Sequence, residues 1–88
     1  MIRTQLEVTN PKGIHARPSA LIVQATKTFR SRILFECRGE TVDATDIMEV
    51  LSLGAACGDV LGITIDGPDE QDALTRLQDI FALNFNDE

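Results

Sequence analysis

Gly13-Ile14-His15-Ala16-Arg17-Pro18-Ser19 is the stretch from which the organisation of this chain is read, and it holds the only histidine. Pro18 has no backbone N–H and a fixed φ, so it suits the first turn of a helix, where that donor would go unpaired anyway. An apolar-periodic run from Ala20 to Phe29 follows at once. The pattern places His15 just before a helix start, beside N–H groups that a helix leaves unsatisfied and at the positive end of its dipole. Such a place binds anions. Arg17 adds a permanent charge whose planar fork suits phosphate oxygens. The plain alternative is a surface or capping histidine, the usual fate of a lone one at a helix start. A metal site is not expected, because zinc needs three or four ligands and Cys37 and Cys57 lack ligand-like spacing.

Working outward, Ile2, Thr4, Leu6 and Val8 alternate with Arg3, Gln5 and Glu7, the period of a half-buried strand. Asn10-Pro11-Lys12-Gly13 breaks it as a loop. In the first helix Ser19, Ile22, Val23, Thr26 and Phe29 share an inward face, with Ala20, Gln24 and Lys27 on a neighbouring face nearer to solvent. Ile33, Phe35 and Cys37 alternate again, and Arg38-Gly39 reads as a tight turn into a short strand at Glu40 to Asp43. A short helix from about Ile47 to Leu53 is expected, capped by Asp46 or Thr45. Gly54 and Gly58 bracket a loop, and Val60 to Asp66 is a strand with Leu61, Ile63 and Ile65 on one face. After Gly67-Pro68-Asp69 a last helix, capped by Asp69 or a neighbour, stripes Ala73, Leu74, Leu77, Ile80 and Phe81 along one side. Asn84 to Glu88 reads as an acidic, fraying tail.

The order β-α-β-β-α-β-α implies an α+β fold, a four-stranded antiparallel sheet covered on one face by three helices. Ferredoxin-like ligand-binding and RNA-binding modules share the βαββαβ order. The 88 residues make one domain, 1–88, with a modest core. A net charge of −6, no Tyr, no Trp and only four Phe argue against a nucleic-acid partner, which needs a basic surface and stacking rings. No apolar run approaches a membrane span and no targeting segment is visible, so a cytoplasmic protein without membrane insertion is expected. Cys37 and Cys57 are expected as reduced thiols.

Asn10-Pro11-Lys12-Gly13-Ile14-His15-Ala16-Arg17-Pro18 resembles the active-site segment of HPr, the histidine phosphocarrier family of the bacterial phosphoenolpyruvate-dependent phosphotransferase system. Asp46-Ile47-Met48-Glu49-Val50-Leu51-Ser52-Leu53-Gly54 is similar to that family's second signature, and Gly67-Pro68-Asp69-Glu70 falls where it starts its last helix. The resemblance implies the HPr open-faced β-sandwich. It implies that His15 accepts a phosphoryl group on its Nδ1 from enzyme I and passes it to an EIIA-type acceptor. The Ala16 and Arg17 backbone N–H groups would cradle the phosphoryl oxygens and Arg17 would offset their charge. Such a chain is a stoichiometric carrier rather than an enzyme, needs no cofactor and is ordinarily a monomer.

For docking, the resemblance implies Ala20, Gln24 and Lys27 on the first helix with Ile47, Met48 and Leu51 on the second. The alternative for Ile47 and Met48 is that both close the core. The family's regulatory serine falls on Asp46, which a serine kinase cannot phosphorylate and whose carboxylate is welcome at a helix N-terminus. Gln24, Thr45 and Glu49 stand where sugar-system carriers often have lysine, which implies differently charged partners. The Gly-Pro turn and the ending Asn84-Phe85-Asn86-Asp87-Glu88 look closer to the nitrogen-related branch. A second reading is an HPr-fold regulatory module that controls a transcription factor or enzyme by binding.

Overall fold

The alternation of apolar and polar residues becomes four strands, because a sheet with one covered face buries every second side chain. The computed structural model describes residues 1–83, and the acidic tail read over Asn84–Glu88 lies outside the described residues. The elements are β1 (Ile2–Glu7), α1 (Ala16–Thr26), β2 (Arg32–Cys37), β3 (Glu40–Asp43), α2 (Ile47–Ser52), β4 (Val60–Asp66) and α3 (Glu70–Ala82). The sheet order is β1-β4-β2-β3 with every neighbouring pair antiparallel.

That order dictates where the helices go. β1 and β2 both pair antiparallel with β4, so they run parallel to each other and their connection must cross over, which α1 does. β3 and β4 both pair antiparallel with β2, and α2 makes their crossover. The register sets Ile2 opposite Ile65, Ile65 opposite Ile33, and Ile63 opposite Phe35, so one face of the sheet is a continuous apolar floor. Ile22 of α1, Val50 of α2 and Ala73 and Leu77 of α3 close over it, all buried. Phe35 and Phe81 meet edge to face, with ring centroids 6.4 Å apart and an interplanar angle of 84°. The Thr26 hydroxyl donates to the Ala44 carbonyl at 2.8 Å, tying the end of α1 to the segment before α2, and the two helices lie in contact.

The β2–β3 turn has Arg38 at φ 51° and Gly39 at φ 82°, the double positive φ that suits a two-residue hairpin loop. Two expectations need correction. α1 ends at Thr26, so Phe29 is not on its face. Past Thr26 the backbone tightens to i→i−3 bonds, Thr28 N–H to the Ala25 carbonyl and Phe29 N–H to that of Thr26, and Phe29 packs half-buried against the core. Asp69 occupies the position before α3, yet its carboxylate makes no helix cap. It accepts instead from the Arg30 N–H and the Ser31 hydroxyl, two donors of the α1–β2 link, which hold its pKa below the usual carboxylate range, the Ser31 bond first. The α2 cap, by contrast, is Asp46, whose Oδ1 accepts from Met48 N–H at 3.0 Å and Glu49 N–H at 3.2 Å. Thr45 turns back to Asp43, whose pKa is lowered chiefly by the Thr45 hydroxyl bond.

Candidate functional site

His15 is placed by the loop before it. Asn10, buried with 2% exposure, donates its Nδ2 to the Gly13 carbonyl at 3.0 Å, and the Gly13 N–H returns to the Asn10 carbonyl at 2.9 Å. Gly13 has φ 69°, a backbone state that favours glycine. A Cβ there would stand 2.6 Å from the Ala55 carbonyl oxygen and 2.9 Å from the Ala56 Cα. This close approach lets Ile14 donate its N–H to Ala55 at 2.9 Å and bury its side chain in the core. The residue after that anchor is His15, half-buried and extended at φ −98°, ψ −162°, in the position before the first turn of α1.

α1 closes its first intrahelical bond from Ser19 N–H to the His15 carbonyl at 3.0 Å. Ala16 and Arg17 therefore form the opening of the helix, where N–H groups point out along the axis, and Pro18 adds none. Both Ala16 and Arg17 are exposed. α1 has no carboxylate in its first turn, whereas α2 carries Glu49 and α3 carries Glu70 and Asp72 there. In a chain of net charge −6, the helix that begins at His15 is thus left without an acid of its own at its positive end. The arrangement can hold an anion on backbone donors within reach of an imidazole nucleophile, with a guanidinium two residues on.

Ala20 is half-buried and Gln24 exposed on α1, whereas Lys27, expected on a face of this helix, is exposed at the position just past its end. Ile47 and Met48 are both outside the core, at 38% and 70% exposure, and Leu51 of α2 is half-buried. The two sets lie on helices in contact. Among the described residues no group of His, Cys, Asp and Glu side chains is arranged to hold a metal ion, and both cysteines are free thiols.

Sequence reasoning missed what the site rests on. The segment 53–59 forms its floor through main-chain atoms, which carry no signature in the side-chain pattern. Asp59 orders that segment: its Oδ2 accepts from Ala56 N–H at 2.8 Å and from Arg38 Nη1 at 2.6 Å, contacts that lower its pKa, the backbone bond first. Gly54 and Gly58, at φ 64° and 96°, were the one sequence hint of a tightly folded loop.

A family model described as "PTS HPr component phosphorylation site" matches residues 2–82. The chain is 40% identical over 88 residues to the phosphocarrier protein HPr of Treponema pallidum, covering all of both. It is 38% identical over 77 residues to the HPr-like protein Crh of Bacillus subtilis, covering 88% of this chain and 91% of Crh. The crystal structure of HPr-C-His from Thermoanaerobacter tengcongensis superimposes with a TM-score of 0.94 at 38% identity, covering 100% of this chain and 99% of that one.

Proposed function

Because this chain belongs to the HPr family of phosphocarrier proteins, we propose that His15 accepts a phosphoryl group from phosphorylated enzyme I and hands it to an EIIA-type acceptor. The observation that carries this reading is the place of His15, one residue before a helix whose first turn has no acid. A neutral imidazole nitrogen, Nδ1 in the family, attacks phosphorus with its lone pair. The new N–P bond forms as the bond from phosphorus to the donor breaks, and the electron pair returns to the donor. The Ala16 and Arg17 N–H groups take the phosphoryl oxygens, and the Arg17 guanidinium offsets their charge. Phosphoryl transfer needs positioning and charge stabilisation above all, which suits a carrier that brings no general base of its own.

Docking uses the exposed side of α1 and the position just past its end, at Ala20, Gln24 and Lys27, and the tip of α2, at Ile47, Met48 and Leu51. The exposure of Ile47 and Met48, on a helix in contact with the one that follows His15, supports this. The carrier works as a cytoplasmic monomer, stoichiometrically and not as a stand-alone catalyst. The second reading, a regulatory module acting by binding, draws support from the similarity to Crh and from the fixed carboxylate of Asp46 at the α2 N-terminus.

The test is intact-protein mass after incubation with phosphoenolpyruvate and a purified enzyme I, beside the His15→Ala variant. Carriage by His15 gives one acid-labile phosphoryl group in the parent and none in the variant. Uptake that persists in His15→Ala removes the proposal, and absence of uptake in both favours the regulatory module.

A further inference from the structure

We propose that the Arg38–Asp59 ion pair is a positioning device for the phosphoryl-accepting loop, acting through the main chain of residues 53–59. The inference rests on the reading of His15 as the acceptor.

Arg38 is the one non-glycine among the described residues with a positive φ, at 51°. The two-residue β2–β3 turn imposes this conformation, and from that turn the Arg38 guanidinium reaches across to another part of the chain. Nη1 donates to Asp59 Oδ2 at 2.6 Å, while Nη2 donates to the carbonyls of Leu53 at 3.1 Å and Gly54 at 3.3 Å. One fork therefore holds both ends of the segment. It satisfies carbonyls that the C-terminus of α2 leaves open, where a cation is electrostatically favoured, and it fixes the carboxylate that in turn accepts from Ala56 N–H at 2.8 Å.

Between those ends lie the atoms that seat the active loop. The Ala55 carbonyl accepts the Ile14 N–H, and Ala55 and Ala56 approach Gly13 so closely that no Cβ fits there. Asp59 also ties the segment to the end of β1, its carbonyl accepting from Val8 N–H at 2.8 Å while Gly58 N–H donates to Val8 at 2.7 Å. A displacement of the segment is thus passed directly to Ile14 and so to His15, the next residue. The pair is largely exposed, with 58% of the Arg38 side chain and 30% of that of Asp59 accessible. Exposed pairs contribute little to global stability. Its effect is therefore expected on the geometry of one loop. Neither residue touches the phosphoryl group, and both are positioning residues.

The experiment compares the full chain with Asp59→Asn and Arg38→Lys. A lysine keeps the charge but has no fork to hold Asp59 and the two carbonyls together. Amide hydrogen exchange of Ile14 reports the loop without any enzyme. Phosphoryl uptake from phosphoenolpyruvate through purified enzyme I, resolved into kcat and KM for the carrier, reports the chemistry. Expected are a rise of about tenfold in Ile14 exchange and a fall of about tenfold in kcat, since small misplacements of reacting groups are costly, with KM and the exchange of core amides such as Leu61 unchanged. Ile14 exchange and kcat equal to the parent would overturn the proposal. So would losses that appear in all core amides together, which would make the pair a general stabiliser. If the parent itself takes up no phosphoryl group, the acceptor reading fails separately, and the exchange arm still decides whether the pair positions the loop.

Discussion

Replacing Gly13 by alanine isolates the close approach on which the placement of His15 depends. The residue sits at φ 69°, where an alanine costs about 1–2 kcal/mol from the clash of Cβ with its own backbone. The new Cβ would also lie 2.6 Å from the Ala55 oxygen and 2.9 Å from the Ala56 Cα, and neither is the movable end of a side chain. One loop must retreat, and the 2.9 Å bond from Ile14 N–H to Ala55 lengthens or breaks. Leaving such a buried donor unsatisfied costs about 1–3 kcal/mol more. The total is about 2–5 kcal/mol, or a fall of about 10–30 °C in Tm for a domain of this size. Gly39→Ala is the matched control. Its φ of 82° is equally unfavourable, but nothing lies within 4 Å of its would-be Cβ, so it should lose only the conformational part, about 1–2 kcal/mol. Urea unfolding of both variants, with m unchanged, gives the difference directly. Equal losses in the two variants, within about 0.5 kcal/mol, would refute the argument that the seat of the active loop is a steric fit against residues 55–56.

Asp46→Ala removes the cap of a six-residue helix and should lower stability by about 1 kcal/mol in urea unfolding while phosphoryl uptake persists. Asp69 has a folded pKa below its unfolded value, so its contribution is fully present above the ordinary carboxylate range and is lost as pH falls through the folded value. Asp69→Asn should therefore melt below the parent at neutral pH, with the gap closing once pH drops well under about 4; a gap that stays constant across a pH series of melting curves would contradict the role of the carboxylate. Met48→Lys, at a side chain 70% exposed, should leave the urea midpoint nearly unmoved and raise KM for enzyme I in a phosphoryl-uptake assay.

The strands were legible because one side of the sheet is covered, so burial imposes a strict period of two on Ile2 to Leu6 and on Leu61 to Ile65. The start of α1 was legible because Pro18 and the run after it admit few alternatives. Its end was less so: the Thr28 hydroxyl turns back onto the Ala25 carbonyl and that of Thr26 is drawn to Ala44, demands that compete with helix continuation without changing the apolar pattern. The misassigned role of Asp69 has a similar origin, since a residue at a cap position is claimed by whichever donors the tertiary fold brings to it, here those of Arg30 and Ser31. His15, Ala16 and Arg17 were found because their types and spacing carry the chemistry. Arg38 and Asp59 were not, because their partnership spans 21 positions and acts through the carbonyls and N–H groups of other residues.

The central claim is that a phosphoryl group on His15 is held at the opening of α1. Amide NMR spectra of the uniformly labelled protein, recorded before and after loading with phosphoenolpyruvate and enzyme I, test it most directly. The largest shifts are expected at the Ala16 and Arg17 N–H groups, with the exposed sheet residues Arg3, Gln5 and Glu36 unmoved. Largest shifts centred anywhere else, or a loaded protein whose Ala16 and Arg17 amides stay where they were, would contradict it.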